Sequence, residues 1–170
     1  MKSPEGYLHG VLPGNEKSVL DVGTGPGGVF DFWNWEAKPL ELKVCVDIHS
    51  FRSDIPNTWF KVKADGCMLP FKDDVFDVVM SCETLEHVPP EKRITFLGEL
   101  CRVSRRLVFV TASDITKHLG PLQEEIEKKN PFQKYRGFPP LSLFKKRGFK
   151  ILEKTPHHIK AFWLKEKGDI

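Results

Sequence analysis

The run Val19-Leu20-Asp21-Val22-Gly23-Thr24-Gly25-Pro26-Gly27-Gly28 constrains the fold more than any other stretch. Ser18 to Val22 is short and mostly apolar, as a central strand of a parallel sheet should be. Gly23, Gly25, Gly27 and Gly28 follow, leaving only Thr24 and Pro26 with a Cβ in this turn. Such a turn can take positive φ and lets a ligand approach the backbone closely. A helix is expected to open from it over residues 28–35. Asp21 sits at the strand's end, two residues before Gly23. A carboxylate there is costly to bury unless something pairs with it. A cationic ligand group above the turn is one candidate partner.

Gly23-x-Gly25-x-x-Gly28 also satisfies the dinucleotide pattern G-x-G-x-x-G, which alone is a weak signal. The acidic residue ahead of the first glycine separates the alternatives. A carboxylate aimed at a pyrophosphate would repel it, whereas it attracts a ligand carrying positive charge. A tight strand-to-helix turn with no ligand is the plainer reading.

The other elements place further residues around this turn. Residues 42–48 read as a second strand ending in Asp47, and 58–64 as a third ending before Asp65-Gly66. Residues 76–81 read as a fourth strand, running into Cys82-Glu83. Pro89-Pro90-Glu91 opens a helix, with Ile94, Leu97, Leu100, Cys101 and Val103 or Ser104 as its buried stripe. Residues 107–111 make a fifth strand. A helix is expected over 119–129, with Leu122 and Ile126 facing in, and a shorter one over 141–147, stopped by Gly148. Two last strands, 149–154 and 159–165, are close enough in sequence for an antiparallel hairpin. Near the N-terminus, Tyr7, Leu8, Val11 and Leu12 suit one short helical turn.

This alternation predicts an α/β fold, a three-layer sandwich around one sheet. Ligands in such sheets bind beyond the carboxyl ends of the strands, where the strand order reverses. Asp21, Asp47, Asp65 and the stretch Ser81–Glu83 all stand at strand carboxyl ends, so they should line one crevice.

At 170 residues the chain is read as one domain, 1–170, long enough for a full core. No apolar run approaches the ~20 residues of a membrane helix. Residues 1–6 lack the apolar core of a signal peptide. Cys45, Cys67, Cys82 and Cys101 are scattered without a C-x-x-C pair, and all but Cys67 lie in apolar stretches. These features point to a cytoplasmic protein with reduced cysteines and no structural metal. His157-His158 has no cysteine or carboxylate pair beside it in sequence, which argues against a metal site there. The net charge of +3 is uneven: residues 1–116 carry 13 Lys/Arg and 17 Asp/Glu, residues 117–170 carry 13 and 6. A basic final third suits a solvated face or an anionic partner.

The motifs together resemble the class I S-adenosylmethionine (SAM)-dependent methyltransferases of the methyltransferase type 11 group. They are Leu20-Asp21-Val22-Gly23-Thr24-Gly25-Pro26-Gly27, Val46-Asp47, Ala64-Asp65, Leu69-Pro70-Phe71 with Phe76-Asp77-Val78-Val79, and Glu83-Thr84-Leu85-Glu86-His87-Val88. The resemblance implies a Rossmann-like seven-stranded sheet of order 3-2-1-4-5-7-6, strand seven antiparallel. It implies SAM as cofactor, with Gly23, Thr24, Gly25 and Gly27 against its methionyl part and Asp21 toward its ammonium. Asp47 would accept from the ribose hydroxyls, Ile48 and His49 would flank the adenine, and Asp65 and Gly66 would meet its edge. Ser81, Cys82 and Glu83 would floor the methionine end. Asp77 reads as structural, and Cys82 as a core residue rather than a nucleophile.

Glu83 and His87, with His118 further on, are the candidate catalytic bases. The Asn/Asp-Pro-Pro-aromatic motif of amino-group methyltransferases is absent after strand four, which argues against nucleobase-amine and glutamine acceptors. Little chain precedes strand one, and no long insertion follows strand five to cover the site. The expected acceptor is therefore large or anionic, with nucleic acid still among the classes, or a second subunit or another copy closes the site. Lys145, Lys146, Arg147 and Lys150 are the basic residues expected to meet such a partner. A SAM-binding subunit without catalysis is the alternative function, and an NAD-dependent oxidoreductase a more distant one.

Overall fold

The computed structural model describes residues 14–25, 38–114 and 116–165, with the backbone alone for 116–121. The turn expected at 7–12, the helix at 28–35, and Gly27 and Gly28 lie outside the described residues.

Strand β1 (Ser18–Val22) is buried at all five positions. It lies between β2 (Leu42–Asp47) and β4 (Phe76–Cys82), parallel to both. β3 (Phe60–Lys63) pairs parallel with β2 at one edge. On the other side β5 (Ser104–Ser113) runs parallel to β4. β7 (His158–Leu164) then runs antiparallel to β5, and β6 (Lys150–Thr155) closes that edge against β7. The resulting order among the described residues is 3-2-1-4-5-7-6, as the sequence motifs imply. The chain leaves β1 toward β3 and returns to β4 on β1's other flank. That reversal opens a crevice beyond the carboxyl ends of β1 and β4.

Alternation along the strands divides the core into two faces. Leu20, Val22, Val44, Val46 and Val79 pack with Phe96, Leu97 and Leu100 of helix α1 (Arg93–Val103), and with Phe144 of helix α3 (Leu141–Lys146). Val19, Cys45, Val78, Met80, Cys82 and Phe109 pack on the opposite face with Ile55 and Trp59. Helix α2 (Thr116–Lys129) follows β5. Gly148 takes φ +77 just after α3, the left-handed stop that its position suggests.

Several boundaries differ from the sequence reading. β3 starts at Phe60, because the Trp59 amide instead donates to Pro56 O at 3.0 Å in a turn. β5 begins three residues early, at Ser104, which pairs with Phe76 ahead of a register shift. On α1 the buried stripe is Arg93, Phe96, Leu97, Leu100 and Val103; Ile94 and Cys101 are only half-buried. Phe96 gains its place because Gly66 has no side chain: a Cβ there would lie 2.4 Å from the Phe96 ring. Leu122 does not face inward but is 55% exposed, while Ile126 is half-buried.

Asp77 is the polar clamp between β1 and β4. Its buried carboxylate accepts from the Lys17 amide at 2.8 Å and from the Ser18 amide at 3.2 Å. Arg105 Nη1 stands 3.2 Å from its other oxygen. Replacing Asp77 with Ala leaves two amides without an acceptor. We predict a loss of roughly 2–4 kcal/mol, read as a lower urea midpoint at unchanged slope. Asp77→Asn, which keeps one acceptor oxygen, should lose less.

Candidate active site

The strand ends determine where the polar groups meet. The amides of Gly23 and Thr24 both donate to Val46 O, at 2.8 and 3.2 Å, so the turn after β1 is tied to the end of β2. Gly23 takes φ +83, and a Cβ there would stand 2.3 Å from Thr84 Oγ1. The close approach that demands glycine is thus to the segment after β4, which lies against the turn. The Thr84 hydroxyl is 3.3 Å from Gly23 O.

A cavity of about 260 Å³ opens above these ends. Asp21, Gly23, Thr24 and Gly25 line it from β1, Asp47 and Ile48 from β2, and Asp65 and Gly66 from β3. Cys82, Glu83 and His87 line it from the segment that ends β4. His49 is not among the lining residues, but its ring centroid is 6.0 Å from that of Phe132, which is. Ser81 is fully buried and its hydroxyl donates to Val22 O at 2.8 Å, so it ties strands together rather than flooring the cavity. Gly27 and the side chain of His118 lie outside the described residues.

Sequence reasoning missed one wall. Asn130, Phe132, Gln133 and Arg136 also line the cavity, so the segment after β5 does supply cover. Buried Asn130 caps a 3-10 turn, Pro131–Gln133, by accepting from the Phe132 amide at 3.0 Å. Arg93, 3% exposed, holds the far end by donating to Arg136 O at 3.1 Å and Gly137 O at 2.6 Å. The Arg136 amide donates to Glu86 O at 2.9 Å. The signal for this wall, a buried arginine on the cavity side of α1, exists only once α1 is placed. Lys145, Lys146, Arg147 and Lys150 belong to α3, its cap and β6, and none lines the cavity.

The carboxylates differ in environment. Asp47 accepts from the amides of Gly25 at 2.9 Å, His49 at 2.8 Å and Ser50 at 3.2 Å. Asp65 accepts from the Cys67 amide at 2.8 Å, an ordinary aspartate turn at the cavity edge. Asp21 is only 5% exposed. Burial pushes its carboxyl up to about 7, with the Thr24 hydroxyl opposing and the Asp47 charge adding to the rise. Cys82 is buried too, and burial raises its thiol well above the ordinary range, which makes it a poor nucleophile.

Glu83 holds φ +53, a left-handed backbone uncommon outside glycine. Burial would raise its carboxyl, but bonds from His158, Ser113 and Thr111 outweigh that and hold it below the usual range. The Thr111 hydroxyl is 2.6 Å from its Oε1. Burial lowers His87, and its Nδ1 lies 3.3 Å from Lys134 O.

Comparison with known proteins agrees with this geometry. Residues 20–110, more than half of the chain, match the methyltransferase domain family. The chain therefore belongs to that family, whose methyl donor is S-adenosylmethionine. It is 31% identical over 144 residues to an uncharacterized protein of Methanocaldococcus jannaschii, covering 80% of this chain and 66% of that one. It is 33% identical over 107 residues to the chloroplastic tocopherol O-methyltransferase of Arabidopsis thaliana, covering 56% and 30%. Norajmaline N-methyltransferase of Rauvolfia serpentina is 30% identical over 121 residues, covering 65% and 40%. The chain thus spans 66% or less of the length of these relatives.

Solved structures share the fold. Magnesium protoporphyrin IX methyltransferase of Synechocystis, with bound S-adenosylhomocysteine, has a TM-score of 0.58 at 17% identity, over 95% of this chain and 80% of that one. A Haloferax volcanii methyltransferase, in complex with the Trm112 methyltransferase activator, has a TM-score of 0.65 at 15% identity, over 95% and 88%. Among the described residues no helix is long and apolar enough to cross a membrane.

The tight glycine turn and the buried carboxylate can each be tested by stability alone. Gly23→Ala should lower the thermal midpoint, and adding Thr84→Ala should restore part of the loss by removing the two closest contacts, at 2.3 and 2.4 Å. Asp21 gives a pH signature. Its folded value of about 7 exceeds the ordinary 3.8, so the unfolded chain ionises first as pH rises. Asp21 therefore lowers the stability of the ligand-free protein progressively between those two values, by up to about 4 kcal/mol. Asp21→Asn should be more stable than the parent at pH 8 and little different at pH 4, as read by urea unfolding.

Proposed function

We propose that this chain is an S-adenosylmethionine-dependent methyltransferase, with residues 1–170 forming one methyltransferase domain. The observation that carries the reading is Asp21. Its buried carboxylate lines the cavity, among the described residues no cationic side chain is paired with it, and the glycine turn beside it packs against the Thr84 side chain. That acceptor suits a ligand with an ammonium group. It is unsuited to a pyrophosphate.

In this reading Gly23, Thr24, Gly25 and Gly27 pack against the methionyl part of SAM, and Asp21 pairs with its ammonium. Asp47, already fixed by three amides, has lone pairs left for the ribose hydroxyls. Ile48 and His49 flank the adenine, with Asp65 and Gly66 at its edge. Cys82 and Glu83 stand at the methionine end.

SAM supplies a methyl group already activated on a cationic sulfur, so the protein's main task is to align the acceptor. For a hydroxyl or amine acceptor, His87 is the base this geometry favours. Its depressed pKa keeps it neutral near pH 7. With Nδ1 donating to Lys134 O, Nε2 is left to accept the acceptor's proton.

Lys92 and Arg136 line the same cavity and suit an anionic group on the acceptor. The wall at residues 130–136 favours a smaller acceptor than an uncovered site would. A second subunit is also part of the proposal, supported by the Haloferax volcanii methyltransferase seen with its activator. Cytoplasmic location belongs to the same reading.

Calorimetry tests it. SAM and S-adenosylhomocysteine should bind, and NAD should not; micromolar NAD binding with none for SAM would overturn the reading. Asp47→Ala should weaken SAM about 10- to 100-fold, since charge-assisted bonds contribute roughly 1.5–3 kcal/mol. Asp65→Ala should weaken it less. SAM affinity should also fall as pH drops below about 7, where Asp21 takes up a proton, and this dependence should vanish in Asp21→Asn.

A further inference from the structure

Behind the cavity wall, Glu86 is fully buried. Its Oε1 accepts from the Ser113 amide at 3.2 Å, and its Oε2 has no hydrogen-bond partner among the described residues. Glu83 and Glu86 reach the same stretch of β5, since Glu83 Oε1 is 2.6 Å from Thr111 Oγ1 while Glu86 Oε1 accepts from Ser113, so the two carboxyls are neighbours. Two carboxylates are both acceptors, so a hydrogen bond between them requires that one carries a proton.

The surroundings say which. On Glu83, donors come from two strands: Thr111 Oγ1 of β5 at 2.6 Å and His158 Nε2 of β7 at 3.3 Å. These stabilise an anion. Among the described residues Glu86 has one amide and no ion-pair partner. The buried Arg93, on which the Glu86 charge acts, directs its guanidinium hydrogen bonds to the carbonyls of Val88, Glu86, Arg136 and Gly137 instead. Burial, and then the Glu83 charge, push the Glu86 carboxyl well above its usual range. Tyr135 gives its hydroxyl to Asp114, whose other oxygen is 3.8 Å from His157, so neither neutralises Glu86. His87 is adjacent and held neutral by burial. Among the described residues no three His, Cys, Asp or Glu side chains converge as metal ligands.

We propose that Glu83 and Glu86 share one proton, borne by Glu86, and present a single negative charge at the methionine end of the cavity. Glu86 is then a positioning residue. Its proton lets the buried carboxyl donate to Glu83 and locks that carboxylate, whose backbone is already held in a left-handed conformation. The fixed single charge favours the imidazolium that His87 becomes on accepting a proton. A doubly ionised pair would repel itself in a buried site, and a doubly protonated one would remove the charge. The functional part of this inference rests on the methyltransferase reading; the proton itself does not.

The test uses the full chain labelled with 13C at the glutamate carboxyl carbons and titrated by NMR without ligand. One glutamate should remain protonated at pH 7, and that signal should be absent in Glu86→Gln. In Glu83→Gln the Glu86 midpoint should fall by about one pH unit or more, because the neighbouring charge is gone. A side-chain amide at this position can still donate to Glu83, so Glu86→Gln should keep its melting temperature at pH 7, whereas Glu86→Ala should lose stability. All glutamates ionised at pH 7 in the parent protein would overturn the proposal, even if the variants fail to fold. So would binding of magnesium ion alone that displaces the proton and is abolished by Glu86→Gln. A parallel calorimetric titration with SAM reports separately on the methyltransferase reading.

Discussion

The carbonyl of Val46 is the point on which the site depends. It accepts two amides from the turn after β1, so the ends of β1 and β2 cannot separate. On β1's other flank the Ser81 hydroxyl donates to Val22 O, tying β4 to the same turn. Three parallel strand ends are thus held in register by three hydrogen bonds made outside the sheet ladder. Gly23 is required at the centre because Thr84 comes down onto it. The carboxylates of Asp21, Asp47 and Glu83 reach one cavity because the backbone beneath them has no freedom to spread.

That convergence has an electrostatic cost. Several carboxylates at the ends of strands repel one another, and the fold handles each differently. Asp47 is surrounded by amides and Glu83 by hydroxyl and imidazole donors. Asp21 has only the Thr24 hydroxyl and Glu86 only the Ser113 amide, and burial raises both. A group left unsatisfied on a cavity wall is poised for a ligand, and one left unsatisfied behind the wall is poised for a proton. The difference between Asp21 and Glu86 is therefore one of position, not of residue type.

The wall over residues 130–136 is of another kind. It contributes little to the core and is held by hydrogen bonds to Arg93, Glu86 and Asn130. Such a segment can carry acceptor preference while the strand ends stay the same. Phe132, Gln133 and Arg136 are three different chemistries on one short stretch.

Much of this is legible in the chain itself. The apolar run 18–22, the glycine turn and the acidic strand ends are local patterns, and periodicity with turn chemistry is enough to read them. Together with the motif resemblance they indicate the sheet order and the crevice. The structural role of Asp77 is legible too, because a lone carboxylate inside an apolar strand needs nearby donors. Tertiary structure alone decided the rest. Leu122 has the spacing of a core residue yet faces solvent, since spacing shows a stripe but not what lies opposite it. Phe96 is buried because Gly66, thirty residues away, leaves its ring room. Ser81 and Glu86 carry no mark in the sequence of being strand tie and buried acid. Those roles arise from which donors the folded chain brings within about 3 Å, a distance that local sequence does not encode.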